Sequence, residues 1–273
     1  MKKNNALLLS TPYILWMLAF TLIPLGVVGY YALTDPNTGA FTLSNLSQLQ
    51  MYLPVLWQSI WYSLVSAFFC LLLGYPVAYY IAHRGPVMQK ILYMLVMLPM
   101  CMSFLLRTLA WVGLLQDTGI VNNLLKLVGL GPIRMIRTPG AVILGMVYNY
   151  LPYMILPLYA IIVKIDNRLI EAAEDLGCTP VQVFSKVVLP LSVPGILSGI
   201  TMVFVPAVST FYISQKLGGT DTVLIGDVIE RLFKQGNNAN LGAALSLVLM
   251  LLVFVCTGIM NRFGDQEEGG VVI

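Results

Sequence analysis

Charged side chains are scarce in this sequence. Asp, Glu, Lys and Arg make up 10% of its 273 residues, whereas 58% are hydrophobic. A soluble domain usually holds about 45–50% apolar residues. The formal net charge of +3 is too small and too dispersed to indicate a nucleic-acid partner. The composition therefore excludes an ordinary soluble domain and predicts a membrane protein that contacts lipid and no nucleic acid.

Residues that bind metals are equally few. The chain has one histidine, His83, and four cysteines. Cys70, Cys101 and Cys256 fall in apolar runs, and Cys178 lies in a polar loop. Thiols spread in this way are typical of small core residues, so we predict neither a disulfide framework nor a metal site.

A nucleotide-binding motor is also absent from the sequence. A Walker A loop needs a Gly-Lys step followed by Ser or Thr, and the dipeptide Gly-Lys does not occur. Any ATP hydrolysis must therefore come from a partner. We expect no catalytic residue in this chain and no cofactor bound by it.

The sequence does contain long runs of apolar residues. Six are long enough to cross about 30 Å of hydrocarbon at about 1.5 Å per helical residue. We predict spans at about 7–33, 55–82, 91–116, 139–163, 191–214 and 241–263. The first is too long for a signal peptide and no small-residue cleavage site follows it, so we expect it to be retained. The predicted fold class is an all-α polytopic membrane protein with six transmembrane helices.

The distribution of Lys and Arg indicates the orientation. Lys2 and Lys3 precede the first span, whereas the loop at 34–54 has no Lys or Arg. Positive residues favour the cytoplasmic side, so we expect a cytoplasmic N-terminus. On this topology the polar loop at 164–190 is also cytoplasmic.

That loop has the local chemistry of two short helices. Asp166 or Asn167 can cap the first, and Gly177 can end it in a left-handed conformation. The segment 179–182, Thr-Pro-Val-Gln, supplies a cap, a proline at the first helical position and a glutamine three residues after the cap. Helical spacing places one set of apolar residues on a common face of the first helix: Leu169, Ile170, Ala173 and Leu176.

Three functions can be suggested for this loop. A DNA-binding helix-turn-helix is implausible, because the segment begins acidic and is bracketed by membrane spans. The loop could be an interfacial helix pair that packs on its own bundle, or it could dock another protein. Composition and spacing leave the last two open.

The loop resembles the EAA signature of ABC-importer permeases. The matching residues are Glu171-Ala172-Ala173, Gly177, Val187 and Leu189-Pro190, with Val187 where that family usually has isoleucine. Other segments are similar to the permeases of spermidine/putrescine importers: LGYPVAYYIA at 73–82, IRMIRTPGAVILGMVY at 133–148, LPLYAIIVKID at 156–166 and LIGDVI at 224–229.

The resemblance implies a type I, MetI-like permease bundle in a bacterial inner membrane. Its translocation domain would be 58–262, after an N-terminal segment at 1–57 and before a cytoplasmic tail at 263–273. The loop at 164–190 would be the coupling loop. Its ATPase-docking residues would be Glu171, Ala172, Ala173, Gly177, Leu189 and Pro190.

The same resemblance implies the partners. They are a second homologous permease, two copies of an ABC ATPase that carries ATP and Mg²⁺, and an extracytoplasmic polyamine-binding protein. The implied function is half of the membrane channel for spermidine and putrescine uptake. A permease for another small solute is the alternative.

A polyamine is a flexible polycation, so its path should offer oxygen ligands and aromatic faces. Two proline-broken segments supply such groups, and we predict that they line the pathway: Tyr148, Asn149 and Tyr153 near Pro152, and Ser209, Phe211 and Tyr212 after Pro206. The alternative is that these residues form an interfacial belt or pack between helices.

Four further charges bear on the pathway. Arg107 is the one charge placed inside a predicted span, and we expect it to snorkel to the outer interface. Asp221, Asp227 and Glu230 precede the last span, where they would either draw a cation or contact a binding protein, or simply be solvated.

The sequence also bears on two other classes of protein, a secondary transporter and a membrane-embedded enzyme. A secondary transporter would lack a coupling loop and would usually carry a buried acid for proton or sodium coupling; none lies deep in a predicted span. A membrane-embedded enzyme would need a catalytic constellation, and His83 sits at a cytoplasmic edge. Both classes are disfavoured.

Overall fold

The computed structural model describes residues 11–35, 38–129, 131–234 and 238–268. Most of this part of the chain is helical, and its one β contact is an isolated bridge between Thr34 and Phe41. Lys2, Lys3, the start of the predicted first span and residues 269–273 of the predicted tail lie outside the described residues.

The helices follow one another with short connections. They are α1 Thr11–Ala32, α2 Leu53–Ala82, α3 Pro86–Met97, α4 Phe104–Leu115, α5 Ile120–Leu127, α6 Pro139–Ile162, α7 Asn167–Asp175, α8 Pro180–Val183, α9 Leu189–Ser209, α10 Tyr212–Leu217, α11 Ile225–Lys234 and α12 Ala239–Glu268. Short elements separate some of them: Ser44–Ser47 is α-helical, Gln48–Tyr52, Leu98–Cys101 and Thr220–Thr222 are 3₁₀ helices, and Phe184–Val188 is a π-helix. Within α1, Leu18–Leu22 is also π-helical.

Six helical segments of the described chain are long and apolar enough to cross a membrane. They are Thr11–Ala32, Gln48–Ala82, Phe104–Leu127, Pro139–Ile162, Pro180–Ser209 and Ala239–Met260. The predicted number of spans and the all-α class are therefore confirmed. Helices satisfy every backbone hydrogen bond within the segment, which the water-free hydrocarbon region requires.

The third predicted span is not one helix. The chain breaks at Met102 and Ser103, whose ψ angles of 148° and 130° are extended, and the spanning segment begins after the break. Pro99 explains the break, because it lacks the N–H that a continuous helix needs and lies in the 3₁₀ turn just before it. The span predicted at 91–116 is therefore displaced to Phe104–Leu127, and Pro86–Cys101 is a shorter apolar helix.

The fifth predicted span, 191–214, is also interrupted. Helix α9 ends at Ser209, Thr210 takes an extended ψ of 144°, and α10 starts at Tyr212. At its other end the helix begins earlier than predicted, since α8, the π-helix and α9 run without a break. The loop at 164–190 is thus continuous with a membrane span.

The chain divides into two compact units. The smaller consists of Met1–Pro54 and Val228–Leu252. In it, the end of α1 meets the start of α12, where Ala32 is buried beside Ala243 and Ala244. The Asn240 side-chain amide donates to the backbone oxygen of Thr34 at 2.6 Å. This hydrogen bond joins the start of α12 to the segment that follows α1.

The larger unit consists of Val55–Asp227 and Val253–Ile273. Its centre is α6, which is the most buried of the spans and packs most closely against α9. Small residues make the approach possible: a Cβ on Gly199 would lie 2.6 Å from the Met154 sulfur, and one on Gly195 would lie 3.1 Å from the Ile161 side chain. Inside a bilayer the hydrophobic effect does not drive helices together, so close packing of this kind stabilises their association.

We expect Gly199→Val to destabilise the larger unit. The added side chain must displace Met154, and overpacking of this kind typically costs about 1–3 kcal/mol. The thermal midpoint in detergent, followed by fluorescence-detected size exclusion, should fall. Gly258→Val is the matched control, because a Cβ at Gly258 meets no atom within 4 Å. Equal midpoints for the two variants would show that the contact between α6 and α9 is not tight.

Candidate functional site

The polar loop is a built element with the predicted capping chemistry. The Asp166 carboxylate accepts a hydrogen bond from the Arg168 backbone N–H at 3.0 Å, so Asp166 is the cap. Gly177 has a φ of 84°, and the first helix ends in two paired bonds: Gly177 N–H donates to Glu174 O, and Cys178 N–H to Ala173 O. This pairing is the Schellman arrangement, which requires a left-handed residue at the position of Gly177.

The second helix starts as predicted. The Thr179 backbone N–H donates to the side-chain oxygen of Gln182 at 2.8 Å, and Pro180 occupies the first helical position. Because α8 continues through the π-helix into α9, a force on this helix acts directly on a membrane span.

The predicted apolar face of the first helix is only partly correct. Ala173 is buried, but Leu169 is about half exposed and Leu176 is 86% exposed. Val181, at the start of the second helix, is 75% exposed. The chain therefore leaves an apolar patch on the tip of the loop, which is a feature of docking surfaces.

The six predicted docking residues have different exposures. Glu171, Ala172, Gly177 and Pro190 are exposed, Leu189 is just over one-third exposed, and Ala173 is buried beneath them. Three of the exposed members, Glu171, Ala172 and Gly177, lie on the same part of the loop as Leu176 and Val181, and we call these five residues the docking tip after their predicted role. Sequence reasoning missed Leu176 and Val181, because helical periodicity alone assigns an apolar residue to the interior.

An aromatic contact ties the loop to α2. The Phe184 ring lies edge-on to Tyr75 and Tyr79, with centroid separations of 5.5 and 5.8 Å. The Tyr75 hydroxyl in turn hydrogen-bonds the Ser192 hydroxyl at 2.8 Å, which joins α2 to α9. We call Tyr75, Tyr79 and Phe184 the aromatic clasp. It was not predicted, since Phe184 is more than one hundred residues from the two tyrosines in sequence.

A second group of polar and aromatic side chains lies among α4, α6, α9 and α10. Tyr148 is about one-third exposed and packs edge-on against Trp111 of α4 at 5.3 Å. Tyr150 donates to the Pro206 backbone oxygen at 3.3 Å and is 6.3 Å from the Tyr153 ring.

The neighbouring Asn149 is more deeply placed. It is 1% exposed, and its amide nitrogen donates to Gly145 O at 2.9 Å. Its side-chain oxygen has no hydrogen-bond partner.

The predicted residues after Pro206 lie at the interruption between α9 and α10. Phe211 and Ser209 are exposed there, and the Ser209 hydroxyl donates to Val205 O at 3.1 Å. Tyr212 contacts Phe104 of α4 at 6.3 Å, and the Lys216 ammonium lies 5.7 Å from its ring centre. The structure thus places Tyr148 and Tyr212 each against an aromatic ring of α4, while the Tyr212 ring already has a cation near it.

Two charges differ from expectation. The prediction that Arg107 snorkels is wrong: its side chain is 6% exposed on α4, because neighbouring helices cover it. Asp227 is not solvated either, since it is buried and one carboxylate oxygen accepts the Leu224 backbone N–H at 2.9 Å. Glu230 pairs with Lys234 at 2.6 Å, and the side chain of Asp221 lies outside the described part.

These features define a membrane protein in which a polar helical loop runs without a break into a membrane span. Residues 71–266 match the family described as binding-protein-dependent transport system inner membrane component. The chain belongs to this family. It is a permease subunit of a transporter and not an enzyme.

The chain is similar along most of its length to permeases of named transport systems. It is 40% identical to the spermidine/putrescine transport system permease protein PotB of Haemophilus influenzae, over 92% of this chain and 94% of the relative. It is 36% identical to PotB of Escherichia coli K12, over 87% of this chain and 90% of the relative.

Solved structures share the fold. A chain of a bacterial ABC transporter for import of the polysaccharide alginate matches with a TM-score of 0.76 at 21% identity, covering 97% of this chain and 96% of that chain. A chain of the MetNI methionine ABC transporter, in an inward-facing conformation, matches with a TM-score of 0.62 at 19% identity, covering 81% of this chain and 98% of that chain. The predicted importer-permease bundle is confirmed.

The aromatic clasp should hold the loop in place. We expect Phe184→Ala to speed amide hydrogen exchange across residues 179–188 by about fivefold or more, since each aromatic pair contributes about 0.5–1.5 kcal/mol. Lys186→Ala is the control on the same segment, because Lys186 is exposed. Exchange that is the same in both variants, measured by mass spectrometry, would mean that the clasp does not restrain the loop.

Proposed function

We propose that this chain is one of two permease subunits of an ATP-driven importer that takes up linear polyamines, spermidine and putrescine, across a bacterial inner membrane. The observation that carries the proposal is the near full-length similarity to permeases of spermidine/putrescine transport systems. The proposed orientation has a cytoplasmic N-terminus, with the translocation domain at 58–262.

The docking tip is the proposed contact with the ATPase. Exposed Leu176 and Val181 offer an apolar anchor, and exposed Glu171 on the same loop offers a carboxylate for a basic residue of the partner. ATP and Mg²⁺ would be bound by two copies of that partner. Closure of the ATPases would push on α7 and α8, and the unbroken helix from Pro180 to Ser209 would carry the movement to the interruption at Thr210.

The aromatic clasp gives this movement a second route. Phe184 moves with the docking loop, while Tyr75 and Tyr79 belong to α2. A shift of the loop therefore pulls on α2 as well as on α9, so that two spans respond together. Tightly packed helices move between a few distinct arrangements and do not deform gradually. Such behaviour is compatible with a switch between inward- and outward-facing states.

The proposed substrate path runs past the interruption of α9 and α10. Tyr148, Tyr153, Phe211 and Tyr212 would present ring faces to the amines, and Asn149 has a side-chain oxygen available. A polyamine delivered by an extracytoplasmic binding protein would meet these groups when the bundle opens outward.

The substrate class is tested by reconstitution. The complex of this chain, a second permease, the ATPase and the binding protein is placed in liposomes, and ATP-dependent uptake is measured. We expect uptake of labelled spermidine or putrescine and none of maltose, phosphate or methionine. Uptake of one of the latter solutes without polyamine uptake would assign the permease to another substrate.

The aromatic residues are tested one at a time. Alanine at Tyr148 or Phe211 should lower uptake at subsaturating spermidine by about 2–30-fold, which corresponds to a cation–π contact of about 0.5–2 kcal/mol. Phe68→Ala is the control, since Phe68 is an exposed aromatic of α2 outside the proposed path. Wild-type uptake by alanine variants of Tyr148, Tyr153, Phe211 and Tyr212 would show that these residues only pack.

The docking tip is tested by changes of charge and polarity. Leu176→Asp and Glu171→Lys should each lower co-purification of the ATPase by about tenfold, because one removes an apolar anchor and the other reverses a contact charge. Gly177→Val should do the same, since valine tolerates a φ of 84° poorly and the first helix is re-aimed.

Val128→Asp is the matched control for the docking tip. Val128 is 77% exposed, close to the exposure of Leu176, and lies outside the spanning segments, in the connection between α5 and α6. If all three loop variants retain the ATPase as well as Val128→Asp does, the loop is only a surface helix pair.

A further inference from the structure

A polar cavity of about 390 Å³ lies at the start of α6, the end of that helix opposite to the polar loop. It lies between the segment that precedes α6 and the segment that follows α10. We call it the arginine cavity, because its described lining holds two guanidinium groups and three hydroxyls with no Asp or Glu among them: Arg134, Arg137, Thr138, Thr220 and Thr222.

The segment at 133–138, which carries both arginines, is irregular but fixed at its two ends. The fully buried Asn122 side chain donates to the Ile133 backbone oxygen at 3.0 Å and accepts from the Ile133 N–H at 2.9 Å. Near the other end, the Arg137 N–H donates to Leu217 O at 2.9 Å. Side chains on a segment that is held in this way lose less conformational freedom when a partner binds them.

The backbone of Arg137 has a conformation that arginine rarely adopts. Its φ of 60° is the one positive value at a non-glycine residue of the described chain. The left-handed region is unfavourable for a residue with a Cβ, and glycine would avoid that cost. Close packing holds the conformation in place, since a Cβ on Gly219 would lie 2.9 Å from the Arg137 backbone oxygen. An arginine where glycine would be easier favours a role for its side chain.

No described carboxylate balances the two guanidinium groups. Arg134 and Arg137 are both exposed. Among the described side chains, the ion pair within 4.0 Å joins Lys234 and Glu230. Guanidinium groups bind carboxylates in a planar, bidentate geometry, so a fixed pair of them is suited to an acidic surface.

The family and the place in the fold indicate where that surface comes from. The chain belongs to the binding-protein-dependent transport systems. The 24 residues of α6 separate the cavity from the polar loop by about 35 Å at about 1.5 Å per residue. In the proposed orientation the cavity is therefore extracytoplasmic, on the side where the binding protein arrives. A protein that binds a polycation needs carboxylates at its ligand cleft, which makes its surface there complementary to arginine.

We propose that the arginine cavity receives acidic side chains of the extracytoplasmic polyamine-binding protein, with Arg134 and Arg137 pairing with its carboxylates. The proposal rests on the proposed function, which supplies this partner and the orientation. Helix α10 extends about 8 Å from Tyr212, on the proposed path, to Leu217 beside the cavity. Docking there would bring the bound polyamine to the outer end of the path. It would also neutralise two charges that repel an arriving polycation.

The test measures the affinity of the importer's own binding protein, purified with spermidine bound, for the permease–ATPase complex in nanodiscs without ATP. Arg134→Glu and Arg137→Glu should each weaken binding by about tenfold or more and slow association, since a reversed charge repels the facing carboxylates. The difference from wild type should shrink as sodium chloride rises. Combined with Arg137→Glu, one Asp or Glu to Arg exchange at the cleft rim of the binding protein should restore affinity to within about threefold.

Arg137→Gly separates the side chain from the fold. Glycine adopts a φ of 60° without strain, so the thermal midpoint of the complex should stay the same or rise. The affinity for the binding protein should still fall by about threefold or more, because a charged contact is lost. A lower midpoint would show that Arg137 supports the fold, and unchanged affinity would show that its side chain is not used. Either result would overturn the proposal.

Arg231→Glu is the matched control, because Arg231 is an exposed arginine of α11 that does not line the cavity. An equal loss with this variant would show that the attraction does not depend on the cavity. Asp221 lies between two lining threonines in sequence, and its side chain is outside the described part. If Asp221→Asn weakens binding as much as the arginine reversals do, the arginines pair within the chain and the proposal is wrong.

A lipid phosphate is the other anion that could enter the cavity. A thermal midpoint that rises with phosphatidylglycerol in wild type but not in the reversal variants, with unchanged affinity for the binding protein, would assign the cavity to lipid and overturn the proposal. Affinity is measured without transport. A complex that binds through the arginines but fails to import polyamines would therefore contradict the proposed function and leave the docking site intact.

Discussion

The close approach of α6 to α9 is the contact on which the rest of the molecule depends. It is possible because Gly195 and Gly199 present backbone to Ile161 and Met154, with no Cβ between. Helix α9 continues from the polar loop at one end and stops at the interruption at Thr210 at the other. Helix α6 carries Tyr148, Asn149 and Tyr153. A rigid contact between the two helices therefore joins the surface that we propose binds the ATPase to the groups that we propose bind the substrate.

The polar exceptions in this apolar bundle are informative for a physical reason. An unpaired polar group in the interior is costly, so a chain keeps one only where structure or function compensates for it. Asn240 and Ser192 are examples of structural compensation, because each has a hydrogen-bond partner that joins two segments. Among the described residues, the Arg107 Nε and Nη1 atoms and the Asn149 side-chain oxygen have no hydrogen-bond partner, and both residues lie on helices that border the proposed path.

Local chemistry explains which parts of the structure could be predicted from the sequence. The apolar runs give six spans because length and hydropathy are properties of a single segment. Asp166, Gly177 and Gln182 could be placed correctly because caps and left-handed turns depend on residues within one turn of helix. The resemblance of the loop to the EAA signature predicted an ATPase partner, which hydropathy and helix capping cannot indicate.

The features that escaped prediction depend on tertiary neighbours or on backbone detail. The hydropathy of the sequence does not change at Met102 or Thr210, although the backbone leaves the helical conformation at both residues. The burial of Arg107 and Asp227, and the exposure of Leu176, follow from which helices pack beside them. The aromatic clasp joins residues on α2 to the docking loop, and spacing along one element cannot reveal such a contact.

The central claim is that ATP hydrolysis by a partner drives polyamine through this permease. The most direct measurement is the number of spermidine molecules imported per ATP hydrolysed, recorded in the same proteoliposomes with the binding protein present and with no ion gradient. The account predicts that import stops without ATP and that the ratio stays constant as the spermidine concentration rises. Spermidine accumulation that is independent of ATP and follows an imposed proton or sodium gradient would contradict it.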